Sequence, residues 1–307
     1  MRRLFTRLRC NQEGSVVPLV AISMTCLMGL VALGVDVGLL YMERSRLHNV
    51  ADIAALTAVQ HLPDDPVSAY LAAREYLQKN GYNPDLADVT VDPIGRTVAV
   101  GAGNTVDLIF ARVLGRQQQT VYGGSSATIQ SISGVFGAVP LGVAQADWQM
   151  YDPVILKLSA NDGTVSPGNY QALALGKSGA SMYEMNLMNG YQDWIRVGQW
   201  LDTETGNMAN PTVRAIKYRI DSDPLATYTD ATKGSPRLVP IPVLRSFEVN
   251  GKGQVEVVGF GMFFLESVAE TGSDKAEITG RFVRMLAEGE ANGTAPDFGL
   301  SRAKLIQ

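Results

Sequence analysis

The chain has 307 residues, of which 46% are hydrophobic and 18% charged, enough apolar surface for a real core and a length beyond one domain of about 100–200 residues. Its net charge of −4 is segregated: residues 1–14 carry Arg2, Arg3, Arg7 and Arg9 against Glu13, a net of +3 that leaves −7 on the remainder. An acidic bulk without a Lys/Arg stripe speaks against nucleic-acid binding. Because the two cysteines, Cys10 and Cys26, both lie near the N-terminus, the bulk of the chain is excluded from disulfide and cysteine-metal chemistry.

Residues 15–35 form a run of 21 residues without a charge, and about 20 are needed to cross a hydrocarbon core of roughly 30 Å. Pro18 falls in the first turn, where a missing N–H is tolerated. A cleaved secretory signal is the rival reading. Its apolar region is shorter, about 7–15 residues, and ends in a small-x-small site, whereas here the helical pattern continues through Tyr41 to Leu47. An uncleaved anchor is therefore expected, with the arginines holding the N-terminus in the cytoplasm by the positive-inside rule. Asp36 closes the run. It reads as an interfacial residue at the outer end of the span, with an intramembrane functional acid as the alternative. Cys10 reads as an inert thiol, with acylation beside the membrane as its alternative.

Beyond the anchor, Leu47, Val50, Ile53, Ala54 and Leu56 keep helical spacing. The order Gly14, Asp36, Tyr41, Leu47, Ala51, Asp52, Ala54, Ala55, Leu56 and Ala58 resembles the TadG-like N-terminal segment of Flp (tight adherence) pilus-assembly proteins. The resemblance is strong over about the first 60 residues and loose to about residue 130. It implies a single-pass protein of the pilus-assembly or a related secretion machinery, its bulk facing outward. Two features depart from the wider pattern. No Asp-x-Ser-x-Ser metal motif of a von Willebrand A domain occurs, and Leu19 stands where prepilin processing after Gly14 would want Glu.

A break at Pro63, Asp64, Asp65 and Pro66 introduces a second helix over 67–80, ended by Gly81. Strands are expected at 87–92 and 97–101 around a turn at 93–96, then a short helix over 106–114 and a strand over 120–130. Residues 131–143, rich in Gly and small side chains, read as a hinge. Strands are expected further on near 154–158, 170–175, 238–245, 255–264 and 281–286, and helices near 182–188 and 212–220. The fold class is thus α+β. A cytoplasmic basic tail (1–14) leads to a transmembrane helix (15–42), which extends into a pilin-like α+β unit (43–130). A linker (131–143), a β-rich domain (144–288) in the manner of a small barrel or roll, and a loosely ordered tail (289–307) follow.

No catalytic, cofactor-binding or metal site is expected. His48 and His61 both belong to the long-helix region, which argues against Ser-His-Asp, Cys-His and zinc chemistry. Lys177-Ser178, and Lys157 with Ser159, read as surface polar residues rather than Ser–Lys pairs. Gly176-Lys177-Ser178 is no phosphate loop, since Gln171 stands where that loop needs Gly. Asn161-Asp162-Gly163 reads as a turn, not a calcium loop. Asp221, Asp223 and Asp230 read as solvated acids, with a cation site as the alternative. Trp194 and Trp200 read as core anchors among the turns at Asn169-Tyr170-Gln171 and Gly206-Asn207, with a groove lined by Tyr191, Trp194 and Trp200 as the alternative. Asn292-Gly293-Thr294 fits a glycosylation triplet only in form. The function expected is a non-catalytic, membrane-anchored component of a pilus-assembly or secretion apparatus. Its partners would be the membrane and proteins of that machinery, with no cofactor, no nucleic acid and no small-molecule substrate. An anchored enzyme acting on envelope polymer, or a surface ligand-binding module, is the alternative.

Overall fold

The computed structural model describes residues 16–159, 172–204, 208–231, 233–247, 252–270 and 275–306. The chain divides into two compact units, residues 1–128 with 305–307, and residues 129–304.

The first unit is organised by helix α1, Val16–Val59, 44 residues that span about 66 Å at 1.5 Å per residue. Large apolar side chains and a Pro confined to the first turn permit an unbroken helix. Ser23 and Thr25 turn their hydroxyls back onto the carbonyls of Leu19 and Ala21, so the apolar stretch leaves these polar groups satisfied within the helix itself. Further along, Leu47, Ala51, Ala54, Ala55, Ala58 and Val59 are fully buried. Their three- and four-residue spacing makes one narrow stripe of small side chains.

Helix α2, Pro66–Lys79, starts where Asp65 accepts hydrogen bonds from the Ser68 backbone N–H and hydroxyl, with Pro66 preset for the first turn. It buries Ala69, Ala73 and Leu77, four residues apart, and packs on α1. Strands β1 (Asp88–Asp92), β2 (Thr97–Asp107) and β3 (Gln118–Phe136) follow as an antiparallel meander. The β1–β2 turn is tied by Asp92, whose carboxylate accepts from the N–H groups of Ile94 and Gly95. Strand β2 lies against α1. At Gly123 in β3 a Cβ would sit 2.7 Å from Leu47 Cβ and 2.8 Å from the His48 backbone nitrogen, so helix and strand approach to a distance that only Gly allows.

The helix expected over 106–114 is mostly something else. Val106 and Asp107 continue β2, paired with Gln119 and Gln118, and Leu108 N–H donates to Gln117 O at 2.9 Å. Only Ala111–Leu114 coils, as a 3-10 turn stopped by Gly115 in the left-handed region. The hinge expected at 131–143 is also different. Strand β3 runs through to Phe136, and Ile132, Val135, Ala138, Val139 and Leu141 are buried. Gly134 there serves close approach and not flexibility, since a Cβ would meet the Glu290 side chain at 2.8 Å.

The second unit contains β4 (Val143–Ala144), β5 (Pro153–Ser159), β6 (Leu173–Ala174), helix α3 (Ala180–Asn189), β7 (Trp194–Arg196), β8 (Trp200–Thr203) and helix α4 (Ala209–Ser222). Strands β9 (Leu238–Leu244), β10 (Gln254–Glu270), β11 (Lys275–Val283), β12 (Met285–Leu286), β13 (Glu290–Ala291) and β14 (Leu300–Ile306) complete the order, the last two residues of β14 being assigned to the first unit. The main sheet runs β4-β9-β10-β11-β5, with β8 on β10 and β6 on β8. Strand β10 is covered on both faces, which explains its near-continuous apolar run. Phe263 and Leu265 enter one core cluster with Ile241, Ile278 and Phe282, while Phe260, Met262 and Phe264 enter another with Leu244, Ile195 and Leu300. Helix α4 packs on β10 and β11 and is joined to α3 by the Tyr183 hydroxyl, 2.9 Å from that of Thr212. Strands β7 and β13 pair with the end of β3.

The chain is therefore α+β, a long apolar N-terminal helix followed by mixed and then β-rich structure. Residues 289–307, expected to be loose, include β14, where Leu300 is buried and paired with Met285. The aromatic ring of Phe298, 5.4 Å from Trp148, supplies the apolar contact that fixes the approach to that strand.

Candidate functional site

Residues 16–35 of α1 form an apolar surface without an internal partner. The best 18-residue window has a mean hydropathy of 2.4 and none of it is buried. Val16, Leu19, Ile22, Leu27, Leu30 and Leu33 all face outward. Burying one such side chain is worth about 1.5–3 kcal/mol, so a row of them facing water is disfavoured, and the surface fits a membrane-crossing helix by length and composition. Among the described residues this is the one helix long and apolar enough to cross a membrane.

The surface ends at a buried carboxylate. Asp36 is 4% exposed, and its oxygens accept from three successive backbone N–H groups, Ile109 at 2.8 Å, Phe110 at 3.1 Å and Ala111 at 2.6 Å. These amides lead into the 3-10 turn, so the carboxylate caps the turn and latches the β2–β3 loop onto the helix. Two turns further, Glu43 accepts from Asn104 Nδ2 at 2.7 Å and lies 3.8 Å from Arg46. Burial, reinforced by that carboxylate, pushes the Tyr82 phenol up. His48 then meets Gly124 O through Nδ1 at 2.9 Å. Polar contacts thus step along α1 from Asp36 into the small-residue stripe, tying the helix through Asp36 to the β2–β3 loop, through Glu43 to β2 and through His48 to β3.

In the second unit, a cavity of about 330 Å³ is lined by Val135, Arg219, Lys233, Ser235, Met262 and Glu288. Its cations are committed to structure. Arg219 donates Nε to Leu187 O at 2.6 Å and Nη1 to Pro236 O at 2.7 Å; burial pushes its guanidinium down to about 10, leaving it charged at neutral pH. Lys233 meets Glu288 at 3.2 Å. Arg237, which does not line the cavity, donates to Leu265 O and Ala226 O and stacks 4.6 Å above the Phe264 ring.

The residues weighed for chemistry are dispersed. Asp223 accepts from the Ser235 hydroxyl, Asp230 accepts from that of Thr227, and no group of three or more His, Cys, Asp or Glu side chains suited to a metal occurs among the described residues. Lys177 and Ser178 are exposed. Trp200 is 59% exposed on β8 and is not a core anchor, because its strand alternates and Leu201 and Thr203 take the inward positions. Trp194 packs edge-on to Phe136 at 6.1 Å, under Arg196. The indole that packs on the core is that of Trp148, partly buried against Phe282 and Phe298. The arginines of the tail, Asn161-Asp162-Gly163, Asn169-Tyr170-Gln171 and Gly206-Asn207 lie outside the described residues, as do the side chains of Lys157 and Ser159. The latch amides of Ile109, Phe110 and Ala111 were missed because a backbone donor has no side-chain signature; the one available signal was an acid closing an apolar run.

Residues 14–61 match the family model described as Putative Flp pilus-assembly TadE/G-like. That match covers α1 and its Asp36 and agrees with the resemblance carried by Gly14, Asp36, Tyr41 and the Ala51–Ala58 pattern. No curated protein and no solved structure matches the chain.

Proposed function

From a TadE/G-like segment that carries an uncovered apolar helix, we propose that the protein is a membrane-anchored, outward-facing and non-catalytic component of a Flp/Tad-type pilus-assembly or secretion apparatus. The observation that carries this reading is the change of character along one continuous helix. Its first half is apolar and uncovered, and its second half is packed into a folded unit. In this reading residues 1–14 form the cytoplasmic tail and 15–42 the span, with the folded units on the far side of the membrane, where Arg2, Arg3, Arg7 and Arg9 would leave them. The folded units then offer surfaces to pilus subunits or to the envelope.

The test is affinity purification of the tagged full chain from detergent-solubilised membranes of its own cell, paired with deletion. Co-purification of pilus-assembly or secretion subunits, and loss of pili on deletion, are expected. Pili assembled normally in the deletion strain, with no such subunits recovered, would overturn the proposal. Protease added to intact spheroplasts is expected to digest residues beyond the span, and full protection would overturn the outward orientation.

A further inference from the structure

The β2–β3 loop presents Ile109, Phe110, Val113 and Leu114 outward, the last two 88% and 84% exposed. Arg112 and Arg116 flank them, both exposed, with Asp107 3.9 Å from Arg112. A soluble loop tip would not ordinarily carry four large apolar side chains in six residues. Its position gives the reason. The latch to Asp36 fixes the backbone of Ile109, Phe110 and Ala111 against the helix. Asp36 lies 20 residues after Val16, about 30 Å along a helix and so one hydrocarbon thickness. The loop is thereby held near the outer end of the apolar surface of α1, within the last two turns of the 15–42 span, where Tyr41, exposed further along the helix, is the residue type favoured at a membrane–water boundary.

We propose that this loop is a second membrane contact, with Ile109, Phe110, Val113 and Leu114 entering the headgroup–acyl boundary of the leaflet from which α1 emerges. Arg112 and Arg116 would meet anionic lipid headgroups at its rim. The occupant is lipid because the patch is continuous with a surface already facing lipid and because its flanking charges are basic on an otherwise acidic chain. The proposal rests on α1 spanning the membrane. A span and a loop fastened to each other would fix the depth of the helix and the tilt of the first unit above the bilayer.

The test uses the full chain with Cys10→Ser and Cys26→Ser, carrying one cysteine at a time as Leu27→Cys, Ile94→Cys, Val113→Cys or Leu114→Cys. Each is labelled with an environment-sensitive fluorophore and reconstituted in phosphatidylcholine–phosphatidylglycerol vesicles containing a lipid with a shallow nitroxide quencher. Ile94 is an exposed side chain in the β1–β2 turn and serves as the aqueous reference. Lipid quenching at 113 and 114 several-fold above that at 94 is expected. Quenching at both equal to that at 94, with the label at 27 still in lipid, would overturn the loop contact while leaving the span intact. An aqueous label at 27 would overturn the span and the loop contact together. Labels at 113 and 114 shielded from aqueous iodide yet untouched by the lipid quencher would place a protein, not lipid, on the loop and also overturn the proposal.

Discussion

The two halves of α1 belong to one continuous helix, yet they meet opposite surroundings. In the first, Val16, Leu19, Ile22, Leu27 and Leu30 are large and exposed; in the second, Ala51, Ala54, Ala55 and Ala58 are small and wholly buried. Charge and size separate them: the first carries no charge before Asp36, while the second places Glu43, Arg44, Arg46 and Asp52 outside its small buried stripe. Bulky side chains suit a fluid medium that moulds around them, whereas small ones let another backbone come close, as β3 does at Gly123.

The strongest way to break that difference is to charge the exposed half. Leu27→Arg together with Val31→Arg is expected to abolish stable membrane residence, each arginine costing about 2.5–3.5 kcal/mol near the centre of a span. Release from membranes by alkaline wash checks this, and the melting of the first unit in detergent is expected to stay as it was. The buried half is sensitive to size instead. Ala55→Leu is expected to destabilise the first unit by about 1–3 kcal/mol through overpacking, read as a lower denaturation midpoint, while Ala21→Leu, on the exposed half, leaves that midpoint unchanged. Gly123→Ala asks the same question from the strand side. Its new methyl must push back Leu47 and the His48 backbone, with an expected loss in the same range, about 1–3 kcal/mol.

The smallest effect is on pH. Hydrogen bonds from the Ser68 side chain and backbone hold the Asp65 carboxyl below its usual 3.8. The folded form therefore favours the carboxylate, and the stabilisation is present above 3.8 and lost as the pH falls through the lowered value. Asp65→Ala is expected to lower the melting temperature slightly at neutral pH and to flatten this part of the acid response. The membrane residence of the first half should not change with it.

The sequence made some of this legible and hid the rest for identifiable reasons. The apolar run of α1, the Asp65–Pro66 start of α2 and the strands around residues 93–96 are local patterns, and each folds as its pattern requires. The loop over 109–114 misleads because Ile109, Phe110, Val113 and Leu114 have helical spacing, while the backbone there is claimed by strand pairing and by Asp36. Residues 131–143 mislead because Gly134 looks like flexibility in a sequence and is close packing once Glu290 stands beside it. A partner 156 positions away along the chain leaves no local trace. Trp200 misleads because strand alternation, not side-chain type, decides which way it faces.

The latch at Asp36 also imposes an order of events. The amides it binds are made 73 to 75 residues after it, about 4–15 s later at a synthesis rate of roughly 5–20 residues per second. On the proposed topology the helix enters the bilayer before its partner exists. During that interval the carboxylate has only water and headgroups to solvate it, which holds residue 36 at the wet boundary until the loop arrives and inherits that depth.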